Sequence, residues 1–585
     1  MKKNGFTLIE LLAVITILSL IALVTSISVA NMVKESKDEL SDAQMKSIKA
    51  AAESWGADNI SDLPTGNSCS YIVLNDLKED GLLDSNITDP KSKNIISNDL
   101  KIKITSKVNG KGKSVLTYEV NPTNVNNCTY IGSPLYVEVP DGLTPVIYVD
   151  ESTETNPTAG YWKVPELNEE WYNYDKQMWA NAVVLGQGKN KKPGEKVVVE
   201  GESPDALMML VYIPRYEYRI VNTSTTYGTH IATGEPGTQN TPGEIEVKFI
   251  NSSQTKSDDD YILHPAFNFD GTKSGFWVGK FEMSSKSADT TSDNNLGCSS
   301  SGCAENAVSN LRILPNVTSL RYNSVSNFFY AIRSIENDNT FGLSNMDTHM
   351  MKNSEWGAVA YLSQSKYGKY GNNDYAGAQK EVYINNSWKY ITGRSGGNVG
   401  GNTPANGTYT NQSSSAPYND YGYYTYDGYL LNFNTNTKSS TKEINKGTGA
   451  STTGNIYGVY DMSGGAWEFV MGSYGLQYPT IEGSGFAPSN VFTSGTINTK
   501  YYDLYKTNIA TTACNNGGVC YGHALSETSG WYNDTADMIK SNEPWFIRGG
   551  MNSMSTNAGI FFFGTDDSDG SSSFGISTRF VGFGK

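Results

Sequence analysis

Positive charge is in short supply. The 585-residue chain carries 45 Lys and Arg against 60 Asp and Glu, a formal net charge of −15. Phosphate binding needs concentrated basic side chains, so this balance argues against nucleic acid as the main partner. Charge of either sign is scarce, at 18% of residues, while Gly (58) and Tyr (37) are abundant; that suits an extracellular, loop-rich β surface more than a cytosolic enzyme. Histidine is rare, and His230, His264, His349 and His523 are scattered without a motif, so no base and nucleophile arrangement stands out. No proline occurs before Pro64, which leaves the chain ahead of it free to be helical. Long apolar runs are missing with one exception: Leu11 to Val33 contains 23 uncharged residues, enough for a helix to cross a hydrocarbon core at roughly 20 residues per span.

That run follows MKKNGFTLIELL, Met1 to Leu12: a short basic leader, a glycine, then an apolar stretch with one acid. The segment resembles the type IV prepilin signal. The resemblance implies that a prepilin peptidase in the cytoplasmic membrane cuts after Gly5 and that the new terminus, Phe6, is methylated. Glu10 would be the fifth residue of the mature chain. An ionised carboxylate there costs roughly 2.5–3.5 kcal/mol on insertion scales; in pilins the acid is neutralised by the amino terminus of a neighbouring subunit. The alternative is an ordinary secretory signal, for which Val29-Ala30-Asn31 is the candidate cleavage region. Beyond Val33 apolar residues recur at three- and four-residue steps (Leu40, Ala43, Ile48, Ala51, Ala52, Trp55), so residues 6–58 read as one helix, half in lipid and half against a globular head.

Four regions follow the leader, residues 1–5. After the helix, 59–139 is a small pilin head with strand-like runs at Ser70–Leu74, Lys101–Ser106 and Ser114–Val120. Pro140-Asp141-Gly142 is a turn signal that opens an aromatic-rich β insert, 140–204. Its Trp and Tyr residues serve either as a sugar-stacking platform or as the core of a small β domain. The six cysteines group locally as Cys69 with Cys128, Cys298 with Cys303 and Cys514 with Cys520, and export permits disulfides.

From about residue 205 to 585 a third pattern appears. Met209-Leu-Val-Tyr-Ile-Pro-Arg-Tyr-Glu-Tyr, Gly275-Phe-Trp-Val-Gly-Lys-Phe-Glu, Ser354-Glu-Trp-Gly-Ala-Val-Ala-Tyr-Leu, Gly458-Val-Tyr-Asp-Met-Ser-Gly-Gly-Ala-Trp-Glu-Phe-Val and Phe546-Ile-Arg-Gly-Gly occur in that order. Order and spacing resemble the formylglycine-generating-enzyme (sulfatase-modifying factor) family, a variant of the C-type lectin fold. The glycine turn at Gly464 and Gly465 places Asp461 and Glu468 as hard oxygen donors, which suits calcium. Carried over by position, the resemblance implies the side chains of Asp461 and Glu468 and the carbonyls of Gly464 and Ala466 as calcium ligands. Gly465 departs from the family's usual asparagine. The competing reading is that Glu468 pairs with an arginine.

The family's oxidase needs a cysteine pair shortly after Arg-Gly-Gly to hold copper and attack a disulfide. Here Arg548-Gly549-Gly550 is followed by no cysteine up to Lys585, and Met554 and Gly559 stand where the pair aligns. Thiolate chemistry is absent and no copper is expected. The ending instead mixes Ser, Thr, Asn, Asp and Gly around an apolar Ile560–Phe563, a division of labour also found in antibody loops. It resembles the variable proteins of diversity-generating retroelements, which implies ligand contacts at Asn552, Ser553, Ser555, Thr556, Asn557, Asp566, Asp567 and Asp569. The three aspartates serve alternatively as a second calcium site or a solvated loop.

The expected fold is α+β: a long N-terminal membrane-spanning helix with a small pilin head, a β-rich insert, and a C-type-lectin-like domain. The expected function is a non-catalytic minor type IV pilin, held first in the cytoplasmic membrane and then at the cell surface. There it assembles with other pilin subunits and displays an adhesion module toward an extracellular glycan or protein. The rivals are a structural pseudopilin of a type II secretion-like system and, disfavoured by the missing cysteines, a sulfatase-modifying-type enzyme.

Overall fold

A computed structural model describes residues 41–585 apart from segments 152–159, 222–241, 252–259, 289–294, 376–379, 394–421, 425–429, 433–436, 439–446, 475–483, 487–495, 506–519, 566–568 and a few isolated positions, 555–556 among them. Gly5, Phe6, Glu10 and the apolar run therefore lie outside the described residues. Among the described residues no helix is long and apolar enough to cross a membrane. The chain divides into two compact units, Met1–Ser133 and Pro134–Lys585.

In the first unit a helix covers 41–58 and packs its Ile48, Ala52 and Trp55 stripe against Ile72, Leu74, Ile102 and Ile104. A four-stranded sheet supplies the opposing face, in the order Ser114–Val120, Lys101–Val108, Cys69–Val73, Thr129–Tyr130. Alternation explains the strand at Lys101: Ile102, Ile104 and Ser106 are buried while Lys103 and Thr105 between them are partly exposed. The Cys69–Cys128 disulfide spans 59 residues. By loop entropy alone such a bridge is worth about 4 kcal/mol.

The second unit is β-rich. Its main sheet has eight strands, all antiparallel to their neighbours, in the order Met346–Met350, Phe580–Gly584, Gly275–Gly279, Ala206–Pro214, Asn181–Leu185, Leu143–Asp150, Gly160–Lys163, Lys196–Val197. The C-terminal strand is thus inserted between strands from the middle of the chain. Ala206–Pro214 is buried at every position, which explains why it reads as a continuous apolar run and not as an alternation. The aromatic stretch 140–204 does not stand apart: its strands extend this same sheet, and Trp162, Tyr174 and Trp179 are core residues. They are unavailable as a sugar platform, because large rings are what lets a short-stranded edge bury enough area.

Two helices, Val325–Ile335 and Asn353–Ser363, pack on this framework. Every residue of the second is buried, so it is apolar-tolerant all round and its Glu355 is held by Lys352 N–H at 2.8 Å and His349 Nε2 at 3.0 Å. A second sheet joins Asp503–Tyr505, Trp467–Tyr474, Trp545–Arg548 and Phe563–Gly564, with Ile576–Thr578 paired parallel to the start of Trp467–Tyr474. This sheet brings the Gly458–Val470 and Phe546–Gly550 motifs side by side.

Candidate functional site

The turn before Trp467–Tyr474 depends on backbone that other residues resist. Asp461, Gly464 and Gly465 adopt φ values of 63°, 74° and 74°. A Cβ at 464 would overlap Asn385 O, and one at 465 would overlap Glu282 Oε1. An asparagine at 465 would therefore strike Glu282; glycine there is a packing requirement.

Around this turn three acids and one base are fully enclosed. Glu282 Oε1 accepts the Ala466 N–H at 2.9 Å, and its other oxygen accepts the Ser319 hydroxyl. Asp461 Oδ1 accepts Asn385 Nδ2 at 2.8 Å and Gly393 N–H at 2.9 Å. Glu468 accepts Arg579 Nε at 3.0 Å on one oxygen and Arg579 Nη2 on the other. Arg579 also reaches Gly279 O at 2.9 Å, tying the main sheet to the second. None of the four exceeds 1% exposure. Burial pushes Asp461 up to about 6 and Glu468 up to about 7, with Arg579 pulling each back, and holds Glu282 well above the carboxylate range.

Of the positions proposed for calcium, Glu468 takes the competing reading: both its oxygens face an arginine. The Asp461 oxygens already receive N–H donors. As arranged, the loop offers a cation no free carboxylate oxygen, and among the described residues no group of three or more His, Cys, Asp and Glu is disposed to hold a metal. Calcium in this loop rests on the sequence resemblance alone.

The C-terminal segment sorts its polar residues into two kinds. Asn552 is 6% exposed, its N–H donating to Gly465 O at 2.9 Å and its Nδ2 to Ser387 O at 2.8 Å. It fastens the loop instead of facing a ligand, because a buried amide must spend its donors internally. Ser553 and Asn557 are exposed; Asp569 is half-buried and accepts Ser571 N–H in a local turn. Ser555, Thr556, Asp566 and Asp567 lie outside the described residues.

Beside Ser553 runs an aromatic and thioether surface that sequence reasoning did not single out. Phe574 is 56% exposed. Half-buried Trp467 donates Nε1–H to Met554 Sδ at 3.2 Å, and Tyr390 donates its hydroxyl to Met551 Sδ at 3.4 Å. Arg321 covers the Tyr390 ring at 4.0 Å. A Cβ at Gly575 would touch both Met551 Sδ and the Trp467 ring, at 3.2 and 3.3 Å, so Met551 and Trp467 meet beside Gly575, which follows exposed Phe574 in the chain. Trp467 lay inside a motif quoted for its turn; only the fold shows which of its neighbours it meets.

At the positions aligned with the oxidase cysteines the structure places Met554, half-buried, and Gly559, whose missing Cβ would overlap both carboxylate oxygens of Asp534. Disulfides join Cys69 to Cys128 and Cys298 to Cys303. Cys520 is also disulfide-bonded; Cys514 lies outside the described residues.

The features so far define a β-rich, disulfide-bearing protein in two units, preceded by an apolar N-terminal segment. Comparison with known proteins assigns that segment: residues 1–26 match the family described as the prokaryotic N-terminal methylation motif. The chain thus has a pilin-type start, and the motif implies processing by a prepilin peptidase, assembly with other pilins, and passage from the membrane to the surface. No curated protein matches the chain. Among solved structures it is similar to the Major Tropism Determinant I1 variant (9% identity, 82% of this chain and 95% of that one, TM-score 0.23), the U1 variant (9%, 82% and 95%, 0.22) and the M1 variant (9%, 75% and 83%, 0.21). Scores this low carry no further argument.

Proposed function

We propose that this chain is a non-catalytic minor type IV pilin whose second unit is a lectin-like adhesion module displayed on the filament. The single observation that supports display is the methylation motif at residues 1–26. The observation that supports ligand binding is the Trp467, Met551 and Met554 cluster, close in the chain to exposed Ser553, Asn557 and Phe574. Rigid aromatic anchors with short polar neighbours, plus adaptable thioethers, are what a recognition surface needs. A glycan or a protein is the ligand class, and diversification of the C-terminal loops fits exposed residues set on a buried frame. An oxidase of the sulfatase-modifying type is disfavoured, since Met554 and Gly559 supply no thiolate.

Peptide mass spectrometry of filaments sheared from host cells tests this reading. The expected terminus is N-methylated Phe6. A terminus near Asn31 would remove the assembly role. Deletion that impairs secretion but leaves adhesion intact would favour a structural pseudopilin instead.

A further inference from the structure

The methionines of the second unit are mostly core residues: Met208, Met209, Met283, Met346 and Met350 are sealed, at 1% exposure or less. Met551 and Met554 differ. Both are half-buried, and they sit three residues apart on one turn, which the Met554 N–H closes onto Met551 O at 2.9 Å. Asn552 between them is fastened through its N–H to Gly465 O and through Nδ2 to Ser387 O. The backbone of the turn is therefore fixed, while the two unbranched thioethers keep their rotatable bonds.

Each sulfur faces a donor stronger than it can use. Trp467 aims Nε1–H at Met554 Sδ, 3.2 Å away, and Tyr390 aims its hydroxyl at Met551 Sδ, 3.4 Å away. A thioether is a weak acceptor, whereas an indole N–H and a phenol hydroxyl are ordinary strong donors. Oxidation turns the methionine side chain from apolar to polar, and a sulfoxide oxygen accepts far better than the sulfur it is bonded to. There is also room for it: a Cβ at Gly575 would stand 3.2 Å from Met551 Sδ, and glycine keeps that side of the sulfur clear. The two donors are in place for an oxidised product.

We propose that Met551 and Met554 are a paired modification site, at which a peroxide converts each thioether to a sulfoxide whose oxygen is held by Tyr390 and Trp467 respectively. In each transfer the sulfur lone pair attacks one oxygen of hydrogen peroxide. An S–O bond forms, the O–O bond breaks, and the proton of the transferred oxygen leaves with the departing hydroxide as water. Sulfur gives up two electrons and the peroxide takes them. The change makes an apolar cluster polar, and reductases that act on methionine sulfoxide can reverse it. Resting on the adhesion reading above, oxidation then acts as a switch that weakens attachment without unfolding the module.

The test treats the full-length chain in detergent micelles with hydrogen peroxide and follows oxygen uptake by peptide mass spectrometry alongside thermal unfolding. Met551 and Met554 should each gain one oxygen before Met208, Met209, Met283, Met346 or Met350 does. Wild-type Tm should hold or rise, because the sulfoxides meet waiting donors. In a chain carrying Trp467→Phe and Tyr390→Phe, which keep rings and remove the donors, the same uptake should lower it. Core methionines gaining oxygen first overturn the proposal, and so does a wild-type Tm that falls as far as that of the double-Phe chain. Should the double-Phe chain not fold, Met551→Leu with Met554→Leu decides: a Tm that falls on oxidation in wild type but not in the Leu chain means the sulfoxides are not held, and overturns it. Attachment of wild-type filaments to host surfaces should fall with peroxide and return with methionine sulfoxide reductase. Attachment that resists peroxide but fails in Trp467→Ala overturns the switch and leaves the adhesion reading standing. Attachment indifferent to both Trp467→Ala and Phe574→Ala removes the adhesion reading instead, and oxygen uptake and Tm still judge the site.

Discussion

Arg579 donates Nε and Nη2 to the two carboxylate oxygens of Glu468, and neither side chain reaches solvent. The pair joins the C-terminal end of the chain to the turn that organises the Gly458–Val470 motif. Glu282 and Asp461 share the enclosure, and Arg579 acts on all three acids. Arg579→Leu should therefore cost roughly 3–5 kcal/mol by leaving buried carboxylates uncompensated. Denaturant unfolding checks this, with Glu468→Leu combined in the same chain. The double variant should be closer to wild type than Arg579→Leu alone; simple additivity would mean the two residues act independently.

The first unit has its own pH signature. Asp76 is 3% exposed and accepts the Val73 N–H at 2.7 Å, the Tyr130 hydroxyl at 2.7 Å and the Ser133 N–H at 2.9 Å. Burial outweighs these donors and raises its carboxyl from 3.8 to about 6. A folded-state value above the unfolded one means the folded chain binds the proton more tightly. The resulting stability is complete below about 3.8 and is lost as pH rises through about 6, some 2–3 kcal/mol in all. Hydrogen exchange of peptides from 41–58 and Cys69–Val73, corrected for intrinsic rate, should show more protection at pH 5 than at pH 7.5. Protection that rises with pH would contradict the assignment.

What could be read from sequence followed from local periodicity. The helix stripe Ile48, Ala52, Trp55 and the alternation in Lys101–Val108 need only near neighbours, and the structure has both. The Cys69–Cys128 and Cys298–Cys303 groupings rested on proximity along the chain and are formed. Long-range partners were beyond reach. Glu282 sat in a quoted motif without a role, because its contacts to Ser319 and Ala466 are made across the fold. Asn552 looked like a surface residue since polarity suggests exposure, yet Gly465 and Ser387 bury it. The aromatic stretch 140–204 resembled a separate insert because nothing local shows that its strands continue a sheet begun elsewhere.

Asn552 and its neighbours should separate stability from recognition. Asn552→Ala leaves Ser387 O buried without its donor and should cost about 1–3 kcal/mol. Ser553→Ala and Asn557→Ala, on exposed positions, should stay within about 0.5 kcal/mol of wild type. Phe574→Ala removes an exposed ring and should likewise unfold normally, while weakening attachment of intact filaments to host surfaces. Unchanged attachment in both Phe574→Ala and Trp467→Ala would remove this patch as the recognition surface.

Position 559 carries the last prediction, because it stands where the second cysteine of the resembled oxidase would align. A Cβ there would overlap both oxygens of Asp534, whose carboxylate is itself pinned by the Phe561 N–H. Relief must come from the Asp534 side chain, which gives up its Phe561 N–H among core residues if it turns away. Gly559→Ala should cost about 1–3 kcal/mol as overpacking. Asp534→Ala should also destabilise, by freeing a buried N–H, but the double variant should lose less than the sum, because removing the carboxylate opens the space that the new methyl occupies. Thermal unfolding of the four chains measures the coupling directly, and strict additivity would show that the two positions do not meet. The same clash bears on catalysis: Met554→Cys with Gly559→Cys supplies two thiols, yet the second must displace Asp534 to take its place. That variant should unfold at lower temperature than wild type and form no formylglycine from a cysteine peptide supplied with copper and oxygen. Turnover by it would mean that the scaffold still holds oxidase geometry and that the cysteines alone were missing.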